Sequence, residues 1–406
     1  MTVFIFCFPF LMAFLLDFLG LPSFLKYIVD AVYIIAVLML YAHRKSVIRK
    51  EISPFIAFAA GFFLFLLVIY LFNFQSPFYF IWGVRNNFRF YIAFVLYSVA
   101  FDEEDAESYL NIMDVLFWVN AVITFFQFFV MGYRQDYLGG IFGVEKGCNA
   151  FSIIFFSIVI GKSLLLFMNK QQNVWNCFLK CGVSLVIAAM AELKFYFVLF
   201  VLILFASALM TRFSFRKVIL IFGAAVILMF TSLLLPILFG EGRTMSLENI
   251  IKTITATNYA TTRDLGRFTA IPTIARDYLT DWSGRLFGMG LGNCDTSSFD
   301  ICNSEFYKSH SYLNYNWFSS AFLFLETGII GLLTYLSFFV ICFVSAFRRM
   351  KRKEANELFC RLSMLMSVVC FIMVFYNSSL RTEIGYMTFF SLALPFVKRN
   401  QQETVI

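Results

Sequence analysis

Apolar runs of about 18 or more residues recur along the whole chain, and each is long enough to cross a hydrocarbon core roughly 30 Å thick. Lipid offers no water to satisfy the backbone, so such a run must close its own hydrogen bonds as a helix. A β-barrel would instead show short alternating segments. Composition agrees: 61% of the 406 residues are hydrophobic and 14% charged, against roughly 25% charged in a soluble domain. The expected fold class is an all-α polytopic membrane protein.

The runs place spans at 3–21, 27–42, 54–72, 80–101, 109–131, 149–168, 177–191, 195–210, 218–239, 329–347, 361–376 and 385–397. Twelve is an even count, so both termini face one side. The first run lacks a basic leader and a small-residue cleavage site, and so reads as a retained helix. Three regions follow: residues 1–239 with nine spans, a polar loop over 240–313, and 314–406 with a re-entry helix and the last three spans.

Orientation comes from the short loops. One set carries Arg44, Lys45, Arg49, Lys50, Lys170, Arg212, Arg216, Lys217, Arg348, Arg349, Lys351, Arg352, Lys353, Lys398 and Arg399. The other carries only Lys26, Arg85, Arg89, Arg134, Lys146, Lys194 and Arg381. Basic residues collect on the cytoplasmic side, so both termini are expected there and the 240–313 loop outside. Asp102-Glu103-Glu104-Asp105 falls on the basic side, but acidic residues count little in this rule. The formal charge of +7 is thus topological and calls for no nucleic-acid partner. No repeat relates the two halves, which weakens a transporter reading.

The outer cations carry most of the chemistry. Arg85 and Arg89 lie four apart on one helical face, Lys194 closes the tight turn Ala191-Glu192-Leu193-Lys194, and the loop adds Arg263, Arg267, Arg276 and Arg285. Cations against a low-dielectric edge are costly without partners or an anionic ligand; snorkelling at helix ends is the plainer alternative. His310, in Lys308-Ser309-His310-Ser311-Tyr312, is the natural candidate for a general base, or else an interfacial anchor. Glu326 opens Glu326-Thr327-Gly328-Ile329-Ile330-Gly331 and is read as a helix cap or an arginine partner. Asp17, Asp30, Asp114, Gln127, Lys162 and Lys180 interrupt other spans, with nothing in the sequence to pair them. The nine cysteines include no CxxC and no Cys/His metal spacing. Cys294 and Cys302 both fall in the outer loop, where oxidising conditions permit a disulfide.

In combination, Gly266-Arg267, Gly288-Met289-Gly290-Leu291-Gly292, His310 with Tyr312, and Leu325-Glu326-Thr327-Gly328-Ile329-Ile330-Gly331 resemble the signature half of the O-antigen ligase and polysaccharide repeat-unit polymerase superfamily. The stretch from Gly139-Gly140-Ile141-Phe142-Gly143 to Asn149-Ala150, the Arg85 segment and the Lys194 turn are similar to that family too. The resemblance implies a GT-C-type bundle in a bacterial inner membrane. Its activity would be metal-independent, cofactor-free glycosyl transfer from an undecaprenyl-diphosphate-linked oligosaccharide to an acceptor glycan, with a chain-length regulator as a further partner. It assigns catalysis to His310 and Arg267, diphosphate binding to Arg85, Arg89, Lys194 and Arg263, and support to Glu326, Tyr312 and Gly290. Two positions depart from the pattern: Ser311 stands where relatives often have Asn, and Lys194 where many have Arg. A lysine keeps the charge but loses the bidentate fork. A repeat-unit polymerase is the first expectation, a ligase the second and a lipid-oligosaccharide flippase the third.

Overall fold

The computed structural model describes residues 2–19, 21–43, 49–145, 147–211 and 263–399, with short pieces between 216 and 261. Most of the expected span at 218–239 and the loop over 240–255 lie outside the described residues. Within them the secondary structure is helical, apart from one isolated bridge between Asp102 and Lys398. The helices are α1 Thr2–Leu19, α2 Tyr27–His43, α3 Ser53–Asn73, α4 Pro77–Ala100, α5 Glu103–Phe129, α6 Asn149–Met168, α7 Val174–Met190 and α8 Lys194–Leu209. The polar loop contributes α9 Ala270–Asp277, α10 Trp282–Phe287 and α11 Glu305–His310. The chain closes with α12 Ser319–Arg352, α13 Glu357–Tyr376 and α14 Ile384–Ala393.

Five of these, α3, α5, α6, α12 and α13, are long and apolar enough to cross a membrane, and shorter apolar stretches occur in α1, α7, α8 and α14. The architecture is that of a helical, membrane-embedded protein. The outward faces agree: Leu64, Val68, Leu71 and Phe72 on α3 and Val115, Val122 and Phe129 on α5 are about half exposed or more. An apolar surface of that extent is unsuited to water.

Local chemistry sets the helix ends. Asp102 accepts the Asp105 amide at 2.8 Å and precedes three acidic residues of the first turn, so α5 begins well before its apolar run. Proline opens α3 and α4, and Asn356 caps α13 through the Leu358 amide. At the centre lie α6, with 89% of its span buried, and α14, whose ten residues are all buried. Bulky rings fill the space between α14 and α4, as in Phe90 against Phe389 and Tyr97 against Phe390, each at 5.6 Å.

The feature that builds the site is a break in α12. At Gly328 (φ 64°, ψ −168°) the helical path is interrupted. The carbonyls of Leu325 and Glu326, just before the break, accept the amides of Met289 and Gly290 at 2.8 and 2.9 Å. Only glycine fits at 328, because a Cβ would overlap the Leu286 carbonyl on α10. Gly290 (φ 100°) is confined likewise by the Gln75 side chain. The glycine-rich turn is therefore stitched into the broken helix. Phe287 beside it reaches Phe65 of α3, at 6.4 Å between ring centres.

Candidate functional site

The first 319–327 piece of α12, the glycine turn, α4 and the α13–α14 connection together enclose a charged cluster. Arg85 of α4 grips one oxygen of Asp30 on α2 through Nε at 2.7 Å and Nη2 at 2.5 Å. Asn86 donates to Asp295 at 2.6 Å, and the other Asp295 oxygen lies 3.6 Å from Nη2 of Arg381. Arg381 lies flat on Phe322, 3.1 Å from its ring centre, and its carbonyl accepts Nη2 of Arg89 at 2.9 Å. Arg89 also faces Glu383 at 3.8 Å. Glu326 is wholly buried: Oε1 accepts the Cys294 amide at 3.1 Å, and Oε2 has no hydrogen-bond partner among the described residues.

Charge counting then matters. Arg85, Arg89 and Arg381 meet the carboxyls of Asp30, Asp295, Glu326 and Glu383. The sequence-based reading gave Arg85 and Arg89 to an anionic ligand, yet here Arg85 is paired with Asp30 at hydrogen-bond distance. Arg381, Asp295, Asn86 and Glu383 were absent from the candidate set. The sequence signal for Arg381 and Glu383 is the polar interval between the last two apolar runs, Asn377 to Glu383; Asn86 and Asp295 have none.

Depth is unusual as well. Arg89 stands eleven residues before the end of α4 at Ala100, or about 16 Å at 1.5 Å per residue. Lys398 pairs with Phe101 there, marking the polar end of the bundle. From that same end α14 leads back to Glu383 over ten residues, about 15 Å. The cluster thus lies about half the thickness of a layer roughly 30 Å thick from the Lys398 end.

A second group surrounds Tyr376. The Arg267 guanidinium sits 3.8 Å from the Tyr376 ring centre and 5.7 Å from that of Phe318. Phe195, the residue after Lys194, stacks on Tyr376 at 3.9 Å and 12°. Arg267 and the Lys194 turn, 73 residues apart in sequence, are thus brought to one aromatic pair. The turn is held by Asn149, which donates to the Ala191 carbonyl at 2.9 Å. Lys194 and Arg263 are exposed. Phe318 and Phe322 lie one turn apart on α12 and carry Arg267 and Arg381 respectively, which links the two groups.

His310 forms a third group. Ser309 Oγ donates to the Glu305 carbonyl at 2.6 Å and lies 2.7 Å from His310 Nδ1; the Phe306 carbonyl is 3.3 Å from the same nitrogen. A carbonyl can only accept, and the serine hydroxyl has the Glu305 and Phe306 carbonyls within reach as well as Nδ1. The pattern assigns the neutral ring's proton to Nδ1 and leaves the Nε2 lone pair open. The imidazole stacks on Phe306 at 4.6 Å, with Tyr278 at 5.4 Å and Tyr312 at 6.2 Å. It does not touch the arginines. Three ring contacts lead from it through Phe306, Tyr315 and Phe322 to Arg381. The Leu265 amide donates to the Leu313 carbonyl at 3.0 Å, which ties the turn before Arg267 to the residue after Tyr312.

An apolar cavity of about 480 Å³ runs between α1, α5, α6 and α14, lined by Phe6, Phe10, Leu116, Phe142 and Met387, with Glu383 as its charged lining residue. Through Glu383 it meets the Arg89 cluster. Deeper in the bundle, Asp114 of α5 receives Lys162 at 2.6 Å and Lys180 at 2.5 Å, a triad that no sequence pattern paired. Cys294 and Cys302 are both buried free thiols. Cys294 donates its amide to Glu326 and accepts the Tyr315 hydroxyl at 2.8 Å through its carbonyl, and the disulfide that the sequence permitted is absent between the two thiols.

No protein-family model matches this chain, and no curated protein is significantly similar to it.

Proposed function

We propose that this protein is a polysaccharide repeat-unit polymerase of bacterial inner membranes, a GT-C-type bundle of about twelve spans with both termini cytoplasmic. The observation that carries the reading is an apolar cavity that ends on the sunken Arg89–Glu383 pair. Such a cavity suits the hydrocarbon tail of an amphiphile, as an undecaprenyl-diphosphate-linked oligosaccharide is. Head and sugars then face Arg267, Lys194 and His310.

In this reaction the acceptor hydroxyl oxygen bonds to the anomeric carbon, and the bond from that carbon to the diphosphate oxygen breaks. Nε2 of His310 takes the hydroxyl proton, and the electron pair leaves with the lipid diphosphate. The negative charge that grows on the leaving group is what Arg267 and Lys194 stabilise. Tyr376 and Phe195 hold both in place. Arg85, bound to Asp30, shapes the wall and does not grip phosphate. Chemistry of this kind asks nothing of a cofactor.

Deleting the gene and profiling lipid-linked and surface glycans tests the reading. A lost polymerase leaves surface glycan limited to one repeat. A lost ligase strands long chains on the carrier, and a lost flippase traps single repeats inside the cell. The flippase has one observation in its favour. Beside the cavity, a shallower groove shares Ile112 and Leu116 and continues to Ser108 and Asn111, where Lys162 donates to Asn111 at 2.8 Å. Charge inside the bundle is what a transport path requires.

A further inference from the structure

Four rings, those of Tyr278, Phe306, His310 and Tyr312, gather where α11 ends, and the transfer step uses only the imidazole. Aromatic clusters on membrane proteins commonly anchor the lipid interface, but charged side chains adjoin this one. On and beside the same helix, Glu305 and Asp300 have side chains 93% and 86% exposed, and Lys308 pairs with both. Polar atoms edge the rings: Ser309 Oγ, the Tyr278 hydroxyl and the Tyr312 hydroxyl, the last on a residue 49% exposed. Burial, and then the Tyr312 hydroxyl, push the Tyr278 phenol up to about 12, so it stays a neutral hydrogen-bonding group. A surface of ring faces bordered by hydroxyls fits a ligand with apolar faces and a polar rim. A pyranose is such a ligand, with C–H groups on its faces and hydroxyls around its edge.

We propose that Tyr278, Phe306, His310 and Tyr312 form a stacking subsite for one sugar ring of the acceptor glycan, adjoining Arg267. The inference rests on the transferase reading above and names where its acceptor lies. Position supports it: the Leu265–Leu313 backbone bond ties the chain two residues before Arg267 to the residue after Tyr312. A ring stacked on Tyr312 can present a hydroxyl to Nε2 of His310, whose Nδ1 is held from behind. Tyr312 is therefore a binding residue, whereas His310 both binds and takes the proton.

The test uses the full-length protein in nanodiscs, with lipid-linked single repeats extracted from a strain lacking the gene. Rates of chain extension are measured against repeat concentration for wild type, Tyr312→Ala, Tyr312→Phe and His310→Ala. The subsite predicts that Tyr312→Ala raises the half-saturating concentration about tenfold with the maximal rate within about twofold. Tyr312→Phe, which keeps the ring and loses one rim hydroxyl, raises it by clearly less than the alanine does, and His310→Ala loses maximal rate. A Tyr312→Ala protein with wild-type half-saturation overturns the subsite while leaving the transferase standing. So does one that loses maximal rate alone, or a Tyr312→Phe as impaired as the alanine. Wild-type protein that extends no chain overturns the transferase reading, and the subsite falls with it.

Discussion

Arg267 and Arg85 are both arginines near aromatic rings, but their surroundings give them different work. Arg85 has a carboxylate at 2.5 Å and is mostly buried with it. Removing one partner of such a pair leaves an uncompensated charge, which costs about 3–5 kcal/mol. Asp30→Ala should therefore lower the thermal midpoint of the detergent-solubilised protein sharply, and the double variant with Arg85→Met should recover most of the loss. Equal losses in single and double variants would show that the pair adds nothing. Arg267, spread over Tyr376, should behave in the opposite way. Arg267→Ala is expected to cut the maximal transfer rate by about 10²–10³ with little change in midpoint, and Arg267→Lys to recover only part of it. The sequence marked Arg267, Lys194 and His310 as candidates by residue type, loop position and family resemblance. It had no means of telling Arg85 from Arg267, because the carboxylate that claims Arg85 lies 55 residues away.

Among the elements, the legible ones were those whose ends coincide with their apolar runs. α6 begins at Asn149 and ends at Met168 as read from hydropathy. α5 starts six residues before its expected Tyr109 because an aspartate cap and an acidic first turn, which hydropathy ignores, extend it. In the sequence the glycines of 288–292 read as a helix-breaking turn and Gly328 as a site of close helix packing. That they mate with one another is a long-range fact no local pattern contains. Gly328→Ala therefore tests an interface, not a helix propensity. Its Cβ must displace α10, so folded yield and thermal midpoint should both fall well beyond the roughly 0.5–1 kcal/mol of an ordinary glycine–alanine exchange. A neutral or stabilising outcome would contradict the close approach. The Asp114 triad gives a second test at this scale. Asp114→Asn leaves two buried ammonium groups facing each other, whereas Lys180→Met leaves one balanced pair. The first should destabilise far more than the second, as read by thermal unfolding in detergent.

At the scale of the whole molecule, a broken helix, a short central helix and a glycine-rich turn carry polar groups into the apolar layer. An apolar cavity meets them there. Irregular backbone at that depth survives only where protein or water lines it, and here it forms the wall of a charged cluster. Class and helix order were legible because composition and run length act locally. The depth of the cluster was not, since it depends on how α4 and α14 overlap. The central claim is that this protein makes glycosidic bonds by expelling a lipid diphosphate. The most direct measurement counts both products in a reconstituted reaction of purified protein with lipid-linked repeats. The account predicts one polyprenyl diphosphate released for each linkage formed, with both products lost together in His310→Ala and Arg267→Ala. Linkages without released diphosphate, or product unaffected by either substitution, would contradict it.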